Sequence, residues 1–319
     1  MSTIISKIII LLFCIISFLH SAEQNKKIAY IVSDLEIPFW QIMAKGIKAK
    51  ASKLGYDIEI YSSNNLKKIE LENLVKAISS RVDGLILSPI NSSTAVTLLE
   101  LAKNANIPVV ISDIGTNSGE YVSFISSDNK KGAYELGKIL TKKMTELSWD
   151  KEGTVGIISI PQKRTNGKDR TLGFIKALNE SDIKSAGLYQ QVNFSYKETY
   201  DYSLKLIEEK PKLRAIWLQG SDKYKATLEA IKDSKKEGQI LLICFDVEPE
   251  FLDLIKKGTL VGSAMQQPYL MGQKAVSSLD DFFNNKKVEK EQKLPILAIS
   301  KDNLQENLPT IKLNVLGIE

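Results

Sequence analysis

Along most of the chain, short β-branched apolar runs alternate with longer stretches that repeat apolar residues at helical spacing. Ile28–Val32 reads as a buried strand, Ser33–Ile37 as a polar loop, and Pro38 as the first residue of a helix running to about Leu54. Further strands are predicted at Asp57–Tyr61, Gly84–Leu87, Pro108–Ile111 and Tyr121–Ile125, with helices near 39–54, 67–80 and 93–105. The cycle resumes with Thr154–Ile158, Ala186–Gln190, Ala215–Leu218, Ile240–Phe245 and Leu260–Met265. Helical stretches near 129–147, 168–180, 199–209, 223–236 and 268–284 separate them. Gly55, Pro211 and Gly238 punctuate helix ends. Such alternation predicts an α/β fold with parallel sheets covered by helices on both faces, and two series predict two doubly wound lobes. No low-complexity linker divides them, so the lobes are expected to touch and to share several crossings, as across a hinge.

Open α/β sheets bind ligands outside the carboxyl ends of their strands, and polar or aromatic residues recur there. Phe39 and Trp40 follow the first strand. Either ring alone is best read as core or as a lid on the sheet edge; the pair, beside Pro38, reads as a stacking platform for a small ligand. Asn91, Ser112-Asp113 and Ser126–Asn129 follow strands of the first series; Ser221-Asp222, Asp246 and Gln266–Pro268 follow strands of the second. Ser93, Asn129 and Asp222 are read individually as helix N-caps. Together the strand ends define two facing polar rims.

Residues 1–22 carry Lys7, the apolar run Ile8–Ile16 with Phe18 and Leu19, and Ser21-Ala22 before Glu23, the pattern of an export signal peptide. The run is shorter than the roughly 20 apolar residues of a spanning helix. Bulky Phe13 before Cys14 argues against a lipid anchor, so a free periplasmic protein is expected. About 297 residues remain, a comfortable length for two domains. The formal charge of +5 is dispersed. Lys163, Arg164, Lys168 and Arg170 lack interleaved aromatics and read as a solvated loop plus one useful arginine, so no nucleic-acid partner is expected. Outside the signal only Cys244 remains, in an apolar run, which excludes an internal disulfide. The single histidine, His20, lies in the signal, which removes Ser–His–Asp and Cys–His catalysis and His-ligated metal sites. No cofactor motif is present, and neither metal nor cofactor is expected.

In order and spacing, several segments resemble the type I periplasmic sugar-binding proteins, the ribose/galactose-type receptors of ABC transporters. They are Pro38-Phe39-Trp40, Val82–Pro89, Ile107–Val110 leading into Asp113, Ser127–Asn129, Arg170–Phe174, Cys244–Asp246, and Gln266–Tyr269 with Met271-Gly272. The resemblance spans about residues 26–300. It implies ligand contacts at Ser33, Phe39, Trp40, Asn91, Asp113, Arg170, Phe194, Ser221, Phe245, Asp246 and Gln266. The chemistry suits a sugar: apolar ring faces stack on aromatics, and hydroxyl rims take charge-assisted bonds from Asp and Arg. Three positions depart from the ribose type. Ile37 and Ser221 stand where relatives carry Asn, and Ile114 where they carry Arg, which argues against ribose itself. The sugar-responsive repressors share this fold, but here a signal peptide stands in place of their helix-turn-helix.

The expectation is a monomeric, non-enzymatic receptor that captures a sugar-like ligand between lobes and delivers it to a membrane ABC permease. A sensory receptor docking onto a chemoreceptor or sensor kinase is the alternative. A hydrolase with Asp113 and Asp246 as paired carboxylates is the weaker rival, since hydroxyl recognition explains both residues. The chain is expected to cross near Ser127-Asp128, Gln266–Pro268 and Leu294–Pro295. That puts 26–127 plus 268–294 in one lobe and 128–267 plus 295–319 in the other.

Overall fold

A computed structural model describes residues 25–318, so the signal-peptide reading of 1–22, with Cys14 and His20, lies outside the described residues. The strands are β1 Lys27–Val32, β2 Asp57–Ser62, β3 Gly84–Ser88, β4 Val109–Ser112, β5 Ser123–Ser127, β6 Thr154–Ser159, β7 Lys184–Gln190, β8 Leu213–Leu218, β9 Leu241–Phe245, β10 Gly262–Met265, β11 Glu291–Leu294 and β12 Leu297–Ser300. The helices are α1 Pro38–Leu54, α2 Lys67–Ser79, α3 Thr94–Asn104, α4 Asn129–Glu146, α5 Thr165–Glu180, α6 Tyr196–Glu209, α7 Tyr224–Asp233, α8 Phe251–Lys257, α9 Pro268–Phe283 and α10 Leu304–Thr310, with a π-helical turn at Ile311–Leu316.

Two six-stranded sheets form, in the orders β11-β5-β4-β3-β1-β2 and β12-β10-β9-β8-β6-β7. The orders match strand for strand, so one topology is built twice. Central strands such as β1, β3 and β8 are almost wholly buried because helices cover both faces, and they read as continuous apolar runs for that reason. One detail departs from a fully parallel expectation: β12 pairs antiparallel with β10, whereas β11 is parallel to β5. Only the dipeptide Pro295-Ile296 separates β11 from β12, so the chain leaves the edge of one sheet and joins the edge of the other at once. Neither edge strand was legible in the sequence. β11 is Glu-Gln-Lys-Leu, with only Leu294 buried, and its strand state comes from pairing with Phe124–Ser127. The short α8 and the tail helices were also unpredicted.

The chain passes between the sheets three times: after β5, between β10 and α9, and between β11 and β12. The crossings are bonded to one another. The Asp128 amide donates to the Leu294 carbonyl (2.9 Å), and Gln267 Nε2 donates to the Pro295 carbonyl (2.8 Å). The tail does not stay with the second sheet. Ile311, Val315 and Leu316 join its core, yet Lys45 Nζ of α1 donates to the Gly317 carbonyl (2.6 Å), and Asn314 Nδ2 donates to Gln267 Oε1 (2.8 Å). The tail thus straddles both units.

Candidate functional site

The carboxyl ends of the two sheets face each other across a cleft that encloses a cavity of about 60 Å³. Its charged centre is a pair of aspartates in equivalent places. Asp113 follows β4 and Asp246 follows β9, both with left-handed backbone (φ 63° and 67°). Each amide donates 2.9 Å to a carbonyl of the next strand, Ile125 for Asp113 and Ala264 for Asp246. Aspartate tolerates this conformation better than most residues, and the turn directs both side chains into the cavity wall. Burial pushes the Asp113 carboxyl up to about 6, with Asp246 adding to the rise and Arg170 and Arg164 opposing it. Burial likewise raises the Asp246 carboxyl, opposed by Arg170 and by the bond from Gln266.

Arg170, on α5, is buried and held by several partners. Its Nε donates to Asn129 Oδ1 (2.8 Å), its Nη1 donates to the Gln219 carbonyl (2.7 Å) and lies 3.6 Å from Asp246 Oδ2, and its guanidinium stacks 3.8 Å from the Phe245 ring centre. Gln266 Nε2 donates to Asp246 Oδ1 at 2.7 Å. Only an NH2 group can bond a carboxylate, so this contact fixes the amide and turns its oxygen the other way. Asp113 Oδ1, Gln219 Oε1 and Gln266 Oε1 are all buried without a protein hydrogen bond. Three unsatisfied acceptors around one cavity call for donors from a ligand or from water.

The aromatic wall comes from both units. Phe39 and Trp40 meet edge to face, centroids 4.8 Å apart. Trp40 is buried and belongs to the first unit's core as well as to the cavity wall, while Phe39 is half-buried. Phe194 lines the cavity from the second unit, in left-handed backbone (φ 53°). Its loop is pinned at the start of α6: Ser195 Oγ caps the helix by accepting from the Glu198 amide, while the Glu198 carboxylate accepts from the amides of Val192, Asn193 and Phe194. Ile37 and Ile160 complete the apolar side.

Of the residues the resemblance singles out, Phe39, Trp40, Asp113, Arg170, Phe194, Ser221, Asp246 and Gln266 line this cavity; Ser33, Asn91 and Phe245 do not. Asn91 Oδ1 accepts from the amides of Ser93 and Thr94, so Asn91 caps α3, correcting the reading of Ser93 as the cap. Phe245 is fully buried and carries Arg170 on its face. Ser33 is fully buried at the end of β1. Two further cap readings are corrected. Asp128, not Asn129, accepts from the Lys131 amide to cap α4, which frees Asn129 to hold Arg170; Asp222 instead pairs with Lys223 Nζ (2.6 Å) and lines the cavity. Ser221 donates to Glu248 Oε1 (2.7 Å), a buried carboxyl pushed up to about 7 by its burial. Ile114 is wholly buried in the first unit's core. Sequence reasoning missed Arg164, Asn166 and Gln219. Its basic neighbours make Arg164 read as part of a solvated loop, yet it is 7% exposed and lines the cavity.

The family model for the periplasmic binding protein domain matches residues 28–287. The ribose import binding protein of Bacillus subtilis (strain 168) is 30% identical over 291 residues, covering 86% of this chain and 88% of that protein. The D-apiose import binding protein of Actinobacillus succinogenes is 26% identical over 272 residues, 85% and 86% of the two chains. Among solved structures, a carbohydrate transporter solute binding protein from Agrobacterium radiobacter, in complex with D-arabinose, superposes with a TM-score of 0.84 at 20% identity. That match covers 92% of this chain and all of the other, and it shows the shared fold. With its duplicated topology, its cleft between sheet ends and these matches, the chain belongs to the periplasmic binding protein family, whose members bind solutes and are not enzymes.

Proposed function

We propose that this protein is an exported, monomeric receptor that captures a single sugar between two lobes and delivers it to a membrane ABC permease. The lobes comprise residues 26–127 with 268–294, and 128–267 with 295–319, the tail bridging both. The observation that carries the reading is the set of unsatisfied buried acceptors, Asp113 Oδ1, Gln219 Oε1 and Gln266 Oε1, in one cavity with the aromatic side chains Phe39, Trp40 and Phe194. Hydroxyl donors on one rim and an apolar ring face on the other match that arrangement. Relatives named for the import of ribose and D-apiose support both the ligand class and the transport role. Ile37 on the wall and a Ser221 hydroxyl committed to Glu248 favour a ligand whose edge there is less polar than that of ribose.

A melting-temperature screen of the purified protein against pentoses, hexoses, deoxy-sugars and polyols tests the reading. A sugar at 100-fold excess over its Kd stabilises the folded protein by about 2.7 kcal/mol and raises the melting temperature visibly. No response to any of these at millimolar concentration would overturn the sugar reading.

A further inference from the structure

We propose that Arg164 is the latch of this receptor: a guanidinium of the second unit that bonds across the cleft to the first and holds the two closed over the cavity. Arg164 sits in the loop between β6 and α5. Its Nε donates to the Ile90 carbonyl at 2.9 Å, and its Nη2 lies 3.4 Å from Asn65 Oδ1, both in the first unit. Ile90 is itself anchored, since its amide donates to Oε1 of buried Glu70 at 2.6 Å. The guanidinium is further supported 5.4 Å from the centre of the Phe194 ring. The two following residues also cross: Thr165 Oγ1 is 3.3 Å from Ser92 Oγ, and Asn166 Nδ2 donates to Asp113 Oδ2 at 3.1 Å. Three consecutive residues at the start of α5 therefore bond to three separate segments of the opposite unit.

The charge of Arg164 needs an explanation of its own. A buried cation without a counter-ion is costly, and among the described residues no carboxylate lies within ion-pair distance of it. The carboxylate that attracts it most is Asp113, which lines the same cavity from the first unit with one oxygen unpartnered; Glu70 and Asp34 of the first unit add to that attraction. Residue 114, beside Asp113, is a core isoleucine. Beside its own carboxylate the first unit thus brings no cation, and Arg170 and Arg164 of the second unit come near it only when the units approach. The attraction between Asp113 and Arg164, in a cleft shielded from water, favours the closed arrangement. A ligand selective for the closed state then binds with an affinity scaled by the fraction of receptor already closed.

This inference rests on the two-lobe capture proposed above and not on the nature of the ligand, so its test is run without sugar. Spin labels at Lys68→Cys on α2 and Lys197→Cys on α6 report the distance between units; both side chains are more than four-fifths exposed, and Cys244 is buried and does not compete for label. Double electron–electron resonance on the ligand-free, full-length mature protein is expected to show the closed population falling about tenfold relative to the open one in Arg164→Met. A smaller shift in the same direction is expected in Asn65→Gly, which removes an acceptor at a residue of positive φ (56°) without straining the backbone. If Arg164→Met fails to fold, Asn65→Gly decides alone. A distance distribution unchanged from the parent, or shifted toward closure, overturns the latch.

Discussion

Asp113 and Asp246 concentrate the chemistry of the cleft. Each occupies a left-handed position after an equivalent strand, and each is held by one side-chain amide, Asn166 for the first and Gln266 for the second. Removing a charge-assisted hydrogen bond costs about 1.5–3 kcal/mol, so Asp113→Ala is expected to raise the Kd of a bound sugar by roughly one to two decades. Isothermal calorimetry measures this, and parent-like affinity in both Asp113→Ala and Asp246→Ala would remove the polar clamp. The ligand-free protein carries a second signature. The folded-state pKa of Asp113, about 6, lies above the unfolded value near 3.9, so the folded state binds the proton more tightly. Stability is therefore greatest below about pH 4 as far as this group is concerned, and it falls as pH rises through about 6. Glu248, near 7, extends the loss upward. Calorimetric melting between pH 4 and 7 should show this decline, and Asp113→Asn should flatten its lower half. An equally steep decline in Asp113→Asn would place the titration elsewhere.

Helix pairs fix where these residues stand. On α5, Gly173 lies so near α4 that a Cβ would fall 2.0 Å from the Lys130 carbonyl oxygen, and Gly137 of α4 meets the Ala177 methyl in the same interface. In the first unit, Gly46 of α1 and Gly272 of α9 play the same part, with a built Cβ 2.1 Å from the Tyr269 carbonyl oxygen and 2.3 Å from that of Met43. Both pairs carry cleft residues at their amino ends: Arg170 and Asn129 on one, Phe39 and Trp40 on the other. Alanine favours a helix over glycine by up to about 1 kcal/mol, but a clash with backbone cannot be relieved by a rotamer change. Gly173→Ala is therefore expected to destabilise by about 1–3 kcal/mol, read as a lowered urea midpoint. A midpoint at or above the parent's would show that the helices separate at little cost.

Across the whole molecule, three crossings bonded to one another allow bending while opposing independent tumbling of the units. The Asp128–Leu294 and Gln267–Pro295 contacts lie at the hinge itself, and the Gln267–Asn314 contact brings in the tail. A ligand that touches both walls stabilises the closed arrangement by its differential affinity for it. Small-angle scattering should show a smaller radius of gyration on saturation with a sugar that raises the melting temperature. An unchanged radius with such a sugar bound would leave the fold intact and remove the clamp.

Hydrophobic period alone determined the succession of ten strands and eight helices, because central parallel strands and amphipathic helices write their burial directly into residue order. The strand-end position of Asp113, Asp246, Phe39 and Trp40 followed from the same pattern. Tertiary structure decided what local pattern cannot encode. β11 is polar and becomes a strand by pairing with β5. Asn91 and Asn129, one a helix cap and the other a support for Arg170, could not be told apart by spacing. Phe245 packs in the second core with Arg170 on its face, a pairing that spacing along the chain does not show. Arg164 looked solvated in a basic loop, and it is buried only because the opposite unit, more than 70 residues earlier in the chain, closes over it.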